Sequence, residues 1–289
     1  MKFVVMSDLH LSKKPWQVRK ALKMGADADA VLLVGDLTND GTPEQITLMQ
    51  QSIAEVLPNT PVLAVPGNHD YPHFPTPMIR EEFCDFEALQ DWLLIRQPYP
   101  YVMDDSGAWA ARLGEVEIIG LNCVWHWRRF KFKDGAQLKW LEQHLDNSNA
   151  RWHIVLCHAP LLAHNPKRSD TKPYLSRDEQ LQSILDAHRN IIFVSGHTHV
   201  SMESPVNCVE YVEIHHNLYV NDGSIRPTTK MTENGMPEAE PANGNVVELL
   251  IEENQVVVTA FSTKTERSLY DGQFYFDNSE MFLTDEHKH

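Results

Sequence analysis

The sequence lacks several features that would set it apart from ordinary globular proteins. It contains no apolar run near the roughly 20 residues that span a bilayer, and its N-terminus shows no targeting pattern, so we predict no membrane segment and no membrane partner. Cysteine is scarce and never occurs in a Cys-x-x-Cys spacing, which predicts reduced thiols and a cytoplasmic location. The four cysteines are Cys84, Cys123, Cys157 and Cys208.

Positive charge is also in short supply. The chain has 25 Lys and Arg against 40 Asp and Glu, a formal net charge of −15. This excess argues against a broad electrostatic footprint for duplex DNA, although a local cationic site could still attract a phosphate. Hydrophobic residues make up 42% and charged residues 22%, which is typical of a chain with a sizeable core. The unusual count is that of histidine, which occurs 15 times.

Short apolar runs alternate with helical segments along most of the chain. We predict strands at 3–6, 30–34, 62–65, 152–156 and 191–194, with a hairpin over 107–121. We predict helices at 16–24, 43–57, near 81–93, 135–145 and 177–188, the second of them starting with Thr42 as N-cap and Pro43 in its first turn. This alternation indicates crossover connections and a mainly parallel sheet.

The pattern changes after residue 199, where strands follow one another without helices. We expect strands at 209–214, 218–221, 246–251, 255–261 and 273–276, forming a meander that completes a second sheet. Residues 224–245 are rich in Pro, Gly, Asn, Thr and Glu and are predicted to form one long exposed loop.

Polar side chains follow each of the five predicted strands that alternate with helices. In chain order they are Asp8 and His10, then Asp36, then Asn68, His69 and Asp70, then His158, and finally His197 and His199. Taken singly, such an aspartate is usually a helix cap and such a histidine a hydrogen-bonded loop residue. Because the carboxyl ends of parallel strands meet at one edge of a sheet, their repetition at five strand ends favours a shared metal site.

These donors are too many for one ion but fit two ions that share a bridging carboxylate. Carboxylate, amide and imidazole groups without thiolate suit Mn, Fe or Zn. Two such ions lower the pKa of a bridging water, orient a phosphoryl oxygen and stabilise charge in an in-line displacement. The sequence therefore predicts metal-assisted hydrolysis of a phosphoester.

Five blocks of this sequence resemble the motifs of the calcineurin-like metallophosphoesterases. They are Asp8-Leu9-His10, Gly35-Asp36-Leu37-Thr38-Asn39-Asp40-Gly41, Gly67-Asn68-His69-Asp70, Cys157-His158-Ala159-Pro160 and Gly196-His197-Thr198-His199, in the family's order. Within the family the set is most similar to the bacterial class III cyclic-nucleotide phosphodiesterases. The resemblance implies an α/β fold, a four-layer αββα sandwich of two mixed sheets flanked by helices, with a dimetal site at the C-terminal edge of the strands.

The resemblance also implies a role for each residue. Asp8, His10 and His199 would hold the first metal, Asn68, His158 and His197 the second, and Asp36 would bridge them. His69 would lie over the leaving group as proton donor, a role that also suits its titration range. Asp70 would orient His69, or else be a turn residue bonded to its own backbone.

The block around His158 departs from the family pattern. Cys157 stands where many relatives carry a second histidine, which weakens the assignment to one subfamily. Since side chains alternate along a strand, Cys157 should point into the core and leave His158 facing the site.

Three further segments bear on the substrate. Residues 124–133 interleave aromatic and basic residues, so that Trp125, His126 or Trp127 could wall a base or alcohol pocket; alternatively this is a loop that buries its aromatics. Residues 161–174 carry His164, Lys167 and Arg168 just after His158, either at the rim of the site or as a solvated connector. The loop at 224–245 could cover the site or a subunit interface.

We therefore predict one domain over 1–289, with a metal-ligand core at 1–199, strands completing the second sheet at 200–276 and a tail at 277–289. The predicted activity is a two-metal phosphodiesterase that uses a metal-bridging hydroxide on a cyclic nucleotide or similar small diester. Asn68, His69, His126 and His199 are expected to contact this substrate. A phosphomonoesterase or nucleotide pyrophosphatase on the same centre, or a non-catalytic scaffold, are the alternatives, and a homo-oligomer stays open.

Overall fold

The computed structural model describes residues 1–71, 85–126, 129–132, 135–164, 175, 178–226 and 228–276. Its helices are α1 Trp16–Lys23, α2 Pro43–Val56, α3 Asp85–Arg96, α4 Ala136–Asn147 and α5 Asp178–Asp186. Its strands are β1 Lys2–Met6, β2 Ala30–Val34, β3 Val62–Val65, β4 Tyr101–Met103, β5 Trp109–Leu113, β6 Val116–Gly120, β7 Cys123–His126, β8 Arg129–Phe132, β9 Trp152–Leu156, β10 Ile191–Ser195, β11 Val209–Val212, β12 Asn217–Asn221, β13 Thr228–Met231, β14 Pro237–Ala242, β15 Asn245–Ile251, β16 Gln255–Ser262 and β17 Ser268–Tyr275.

Two large mixed sheets organise these strands. The first has the order β17-β16-β15-β1-β2-β3, in which β1, β2 and β3 are parallel and the other pairs are antiparallel. The second has the order β11-β12-β10-β9-β6-β5-β4, in which β6, β9, β10 and β12 are parallel. Two small hairpins, β7-β8 and β13-β14, stand outside these sheets.

Alternation along each strand divides the core into three layers. In β1, Val5 belongs to the apolar cluster between the two sheets, whereas Val4 and Met6 pack with the helices α1, α2 and α3. In β9, Ile154 lies between the sheets and Val155 packs with α4 and α5. The predicted four-layer αββα arrangement of two mixed sheets between helices is therefore confirmed.

The helices form where the sequence predicts them, within a few residues at each end. α2 begins as predicted, with the Thr42 hydroxyl accepting a bond from the Gln45 N–H and Pro43 in the first turn. The predicted helix near 81–93 is shifted to α3, and residues 72–84 lie outside the described residues. Within the described ranges, none of the helices has the length and apolar character needed to cross a bilayer.

The structure corrects the expectation for residues 200–276. Only β11 and β12 extend the second sheet, whereas β15, β16 and β17 extend the first sheet beside β1. The physical reason is the pairing of β15 with β1, in which Phe3 lies opposite Leu249 and Val5 opposite Val247, all of them in the layer between the sheets.

The single exposed loop predicted at 224–245 is also wrong. This segment contains the β13-β14 hairpin, and Ile225 and Met231 are fully buried. Proline cannot donate to a sheet ladder, and for that reason Pro237 and Pro241 suggest a loop, but a two-stranded ribbon has outer sides that need no partner. The tail at 277–289 lies outside the described residues.

The β5-β6 pair yields a test of the packing. Gly120 lies opposite Trp109, and a methyl group at Gly120 would stand 2.1 Å from Trp109 Cε2. We predict that Gly120→Ala lowers the free energy of unfolding by about 2 kcal/mol, since overpacking a core costs roughly 1–3 kcal/mol. Gly135→Ala, where nothing lies within 4 Å, is the control and should cost less than about 1 kcal/mol in urea denaturation. Equal stability of the two variants would contradict the described packing.

Candidate metal centre

The polar segments after β1, β2, β3, β9 and β10 converge at one edge of the two sheets. Five side chains in these segments belong to residues with left-handed backbone: Asp8 at φ 52°, His10 at 43°, Asp36 at 51°, His197 at 69° and His199 at 53°. Such a conformation costs a non-glycine residue of order 1 kcal/mol or more. Hydrogen bonds between the segments hold it, for example Asp8 N–H to the Gly35 carbonyl at 3.0 Å.

The first group of donors consists of Asp8, His10, Asp36 and His199, whose ligand atoms all lie within 4.8 Å of one another. His10 Nε2 is 3.2 Å from His199 Nε2 and 3.8 Å from both Asp8 Oδ1 and Asp36 Oδ2. His199 Nε2 is 2.8 Å from Asp8 Oδ1. Four ligand atoms at this spacing could hold one metal ion.

The second group consists of Asp36, His158 and His197, all of them buried. His158 Nε2 lies 3.4 Å from Asp36 Oδ2, and its Nδ1 donates to the Val34 carbonyl at 2.8 Å. Because the carbonyl accepts the Nδ1 proton, Nε2 is the nitrogen that faces the group and could bind a metal ion once deprotonated. Asp36 belongs to both groups, as expected of a bridging carboxylate.

Asn68 is buried beside these groups, between two residues that touch Asp36. The His69 N–H donates to Asp36 Oδ1 at 2.7 Å, and Gly67 packs so closely that a methyl group on it would lie 2.2 Å from the same oxygen. Asn68 Oδ1 and His158 Nε2 are buried atoms that make no hydrogen bond within the described part of the chain. Buried polar atoms are rarely left so, and a cation would satisfy both of them.

The electrostatics of the site keep its carboxylates ionised. Burial would raise the pKa of Asp8, but His199, His158 and His10 hold it well below its usual range. Burial likewise opposes ionisation of Asp36, but His158 outweighs it and lowers the pKa of Asp36 to about 2. Burial lowers the pKa of His10 to about 4 against the pull of Asp8 and Asp36, so its imidazole is neutral at pH 7. Burial would lower the pKa of His158, but Asp36 and Asp8 outweigh it and raise that pKa well above its usual range, so a metal ion that binds His158 would displace a proton from it.

His69 lies at the open side of the first group, half-buried. Its ring makes an edge-on contact with the His10 ring at 4.5 Å between centroids. Its Nδ1 is 2.7 Å from the Asn39 carbonyl oxygen. Since a carbonyl can only accept, Nδ1 carries a proton.

Asp70 does not orient His69, contrary to one sequence expectation. Its buried carboxylate accepts from the Thr38 N–H and hydroxyl at Oδ1 and from the Leu37 and Gly67 N–H groups at Oδ2, over 2.8 to 3.1 Å. The bond from the Gly67 N–H is the one expected of a turn residue bonded to its own backbone. The bonds from Leu37 and Thr38 join the turn after β3 to the turn after β2. A buried carboxylate is drawn to these backbone donors, while His69 reaches the Asn39 carbonyl.

A hairpin walls the second group. In β8, the Phe130 ring packs edge-on against His197 at 4.8 Å and against His158 at 5.7 Å. In the described part of the aromatic-basic segment 124–133, β7 and β8 pair antiparallel and Phe130 is buried. The side chains of Trp125 and His126, and all of Trp127, lie outside the described residues.

Of the remaining residues singled out in the sequence, the structure describes some and not others. Cys157 lies in the apolar core as predicted, with His158 in the site. His164 stacks on Tyr219 at 3.8 Å and bonds to Glu210, whereas Lys167 and Arg168 lie outside the described residues.

The end of β12 carries two residues near the site that the sequence motifs do not single out. Asn221 and Asp222 follow an apolar run that pairs in parallel with β10, which is the signal that marks the other five segments. Asn221 Nδ2 donates to the Ser195 and Gly196 carbonyls, so it holds the turn that carries His197.

Two sets of buried donors that share one carboxylate, at the C-terminal edge of two packed sheets, define a candidate binuclear metal site of the kind used by metal-dependent hydrolases. A family model described as calcineurin-like phosphoesterase matches residues 1–201. The chain belongs to this family, which implies divalent metal ions.

Relatives and solved structures agree with this assignment. The chain is 23% identical over 172 residues to the "Probable glycerophosphodiester phosphodiesterase GpdQ" of Arcobacter nitrofigilis, which covers 59% of this chain and 56% of that protein. It is 24% identical over 212 residues to a "Probable cyclic nucleotide phosphodiesterase" of Ruthia magnifica, covering 70% and 79%. Purple acid phosphatase PPD1 from yellow lupin (Lupinus luteus) seeds shares the fold with a TM-score of 0.69 at 14% identity, covering 98% of this chain and 55% of that one.

The contacts of Asp70 generate a prediction about stability. Asp70→Asn places an NH₂ group where two N–H donors point, so two buried donors lose their acceptor, each at a cost of roughly 1–3 kcal/mol. We expect the free energy of unfolding to fall by about 2 kcal/mol or more in urea denaturation at pH 7.5. Asp271→Asn, on an exposed position of β17, is the matched control and should change little. A variant at Asp70 as stable as the control would show that these bonds do not anchor the turns.

Proposed function

We propose that the protein is a metal-dependent phosphodiesterase that hydrolyses a cyclic nucleotide or a similar small diester. The observation that carries the proposal is the pair of donor groups that share Asp36, with His69 at their open side. The names of two relatives, a probable glycerophosphodiester phosphodiesterase and a probable cyclic nucleotide phosphodiesterase, support the diester.

The proposed ligands follow the two groups. Asp8, His10 and His199 would hold a first ion, Asn68, His158 and His197 a second, with Asp36 between them. Donors of these types suit Mn, Fe or Zn. When bound, such ions supply a water nucleophile at neutral pH and positive charge for the phosphoryl oxygens.

His69 would supply the proton that the leaving oxygen needs. Its Nδ1 donates to the Asn39 carbonyl, which restrains the ring, and Nε2 would be the nitrogen directed at the substrate. When both ring nitrogens are protonated, Nε2 can donate its proton to an alkoxide as the ester bond breaks. His199, beside His10 in the first group, is partly exposed and would contact the substrate together with Asn68 and His69.

The bonds of Arg226 bear on the choice between a diester and a monoester. A monoester dianion gains from extra cationic side chains beside the metals. Arg226, on the segment next to the first group, directs its Nε and Nη2 groups to the Leu9 and His10 carbonyls instead. A singly charged diester does not need that additional charge.

Buried free thiols at Cys123, Cys157 and Cys208 support a reducing, cytoplasmic setting.

Removing His197 tests the two-metal proposal. We predict that His197→Ala binds one Mn²⁺ per chain where the unaltered protein binds two, and that it loses about 100-fold or more of the cleavage of bis(p-nitrophenyl) phosphate. Metal content and initial rates on this diester and on p-nitrophenyl phosphate are the measurements. His215→Ala, a histidine remote from the donor groups, is the control. Full activity with one ion per chain would exclude the two-metal site, and a preference for the monoester would favour a phosphomonoesterase.

Removing His69 tests proton donation. We predict that His69→Ala keeps the metal content and slows alkyl or ribose diesters by about 100-fold or more, because general acid catalysis contributes roughly 10²–10⁴-fold. Nitrophenyl diesters should be spared, since nitrophenolate leaves without a proton. Equal losses on both kinds of substrate would contradict the role of His69.

A further inference from the structure

The carboxyl end of β12 lies beside the candidate metal centre, on its buried side. Asp222 directly follows this strand, and its N–H donates to the Ser195 carbonyl at the end of β10. Its side chain is 1% exposed, so the carboxyl group has no access to solvent. Asp222 is not one of the proposed metal ligands. Its position is nevertheless fixed by the parallel strands β10 and β12.

A serine hydroxyl links Asp222 to Asp8. Ser7 Oγ lies 2.5 Å from Asp8 Oδ2 and 2.5 Å from Asp222 Oδ1. Both contacts have the length of strong hydrogen bonds between oxygens in which one partner is ionised. The three groups form a short chain, buried throughout, that ends on a proposed ligand of the first ion.

Counting hydrogens fixes the direction of this chain. A hydroxyl has one hydrogen, so Ser7 can donate to only one of the two carboxyl groups, and the other must bring a hydrogen of its own. Asp8 Oδ2 already accepts a second hydrogen bond, from the His197 N–H at 2.9 Å, as an ionised carboxylate does. Asp222 Oδ2 has no hydrogen-bond partner among the described residues. Asp8 is therefore the acceptor and Asp222 the group that carries the hydrogen.

We propose that Asp222 is a positioning residue: as a neutral acid it donates to Ser7, which in turn donates to Asp8 and turns Asp8 Oδ1 toward the first group of donors. Burial raises the pKa of Asp222 well above its usual range; the bond with Ser7 opposes this and the charge of Asp8 adds to it. Outer partners of this kind typically contribute 10-fold to 100-fold to metal affinity. The inference rests on the proposed binding of an ion by Asp8.

Two substitutions of similar size separate the hydrogen bond from packing. In Asp222→Asn the amide still donates to Ser7, so both Mn²⁺ ions should bind within about threefold of the unaltered protein. In Asp222→Leu the space stays filled but the donor is lost, and one of the two ions should bind about 10-fold or more weakly. Calorimetric titration with Mn²⁺ measures both steps, and the melting temperature is followed alongside.

Ser7→Ala provides a second test that does not alter Asp222. It breaks the same chain, so it should weaken the same ion by about 10-fold or more, and adding Asp222→Leu should weaken it little further. If Asp222→Leu does not fold, Ser7→Ala and Asp222→Asn still give opposite expected results.

Each result has one meaning. Loss of one ion in Asp222→Leu and Ser7→Ala, with retention in Asp222→Asn, supports the positioning role. Equal weakening of both ions with a lowered melting temperature, weakening in Asp222→Asn, or unchanged affinity in Ser7→Ala would overturn it. An unaltered protein that binds no Mn²⁺ would instead overturn the proposed function.

Discussion

Two carboxylates, Asp8 and Asp36, are buried at the ends of neighbouring parallel strands, and the surroundings of the site compensate their charge. A buried carboxylate without partners is strongly destabilising. Asp8 accepts from the Ser7 hydroxyl and the His197 N–H, and Asp36 accepts from the His69 N–H. The bond from the His197 N–H joins the segment after β10, in the second sheet, to the segment after β1, in the first sheet. The site is thus also a junction between the two sheets.

This constraint separates a centre built on buried strand ends from walls that stand outside the main sheets. The donor side chains stand on turns directly after buried strands, and several of these turns hold left-handed backbone. By contrast, the hairpins β7-β8 and β13-β14 stand outside the main sheets on either side of the centre. Phe130 packs on His158 and His197, and the Thr229 N–H donates to the His199 carbonyl. Under the proposed function, these walls would select among phosphoesters.

Much of this centre could be predicted because local signals determine it. The strands before Asp8, Asp36 and Asn68 are short apolar runs, and parallel strands bring their ends together whatever the remaining sequence is. The pairing of β15 with β1 could not be predicted, because it depends on contacts between two segments that lie far apart in the sequence. The β13-β14 hairpin was hidden by its prolines. The partner of Asp70 was missed because a short carboxylate has many donors within reach, and only the folded backbone selects among them.

Locating the metal ions in the protein is the most direct test of the proposed binuclear site. A crystal of the Mn²⁺-loaded protein, measured at the manganese absorption edge, would show each ion as an anomalous peak. If the site is binuclear as proposed, two peaks are expected about 3.5–4 Å apart, both in contact with the Asp36 carboxylate. A single peak, or two peaks that do not share Asp36, would contradict it.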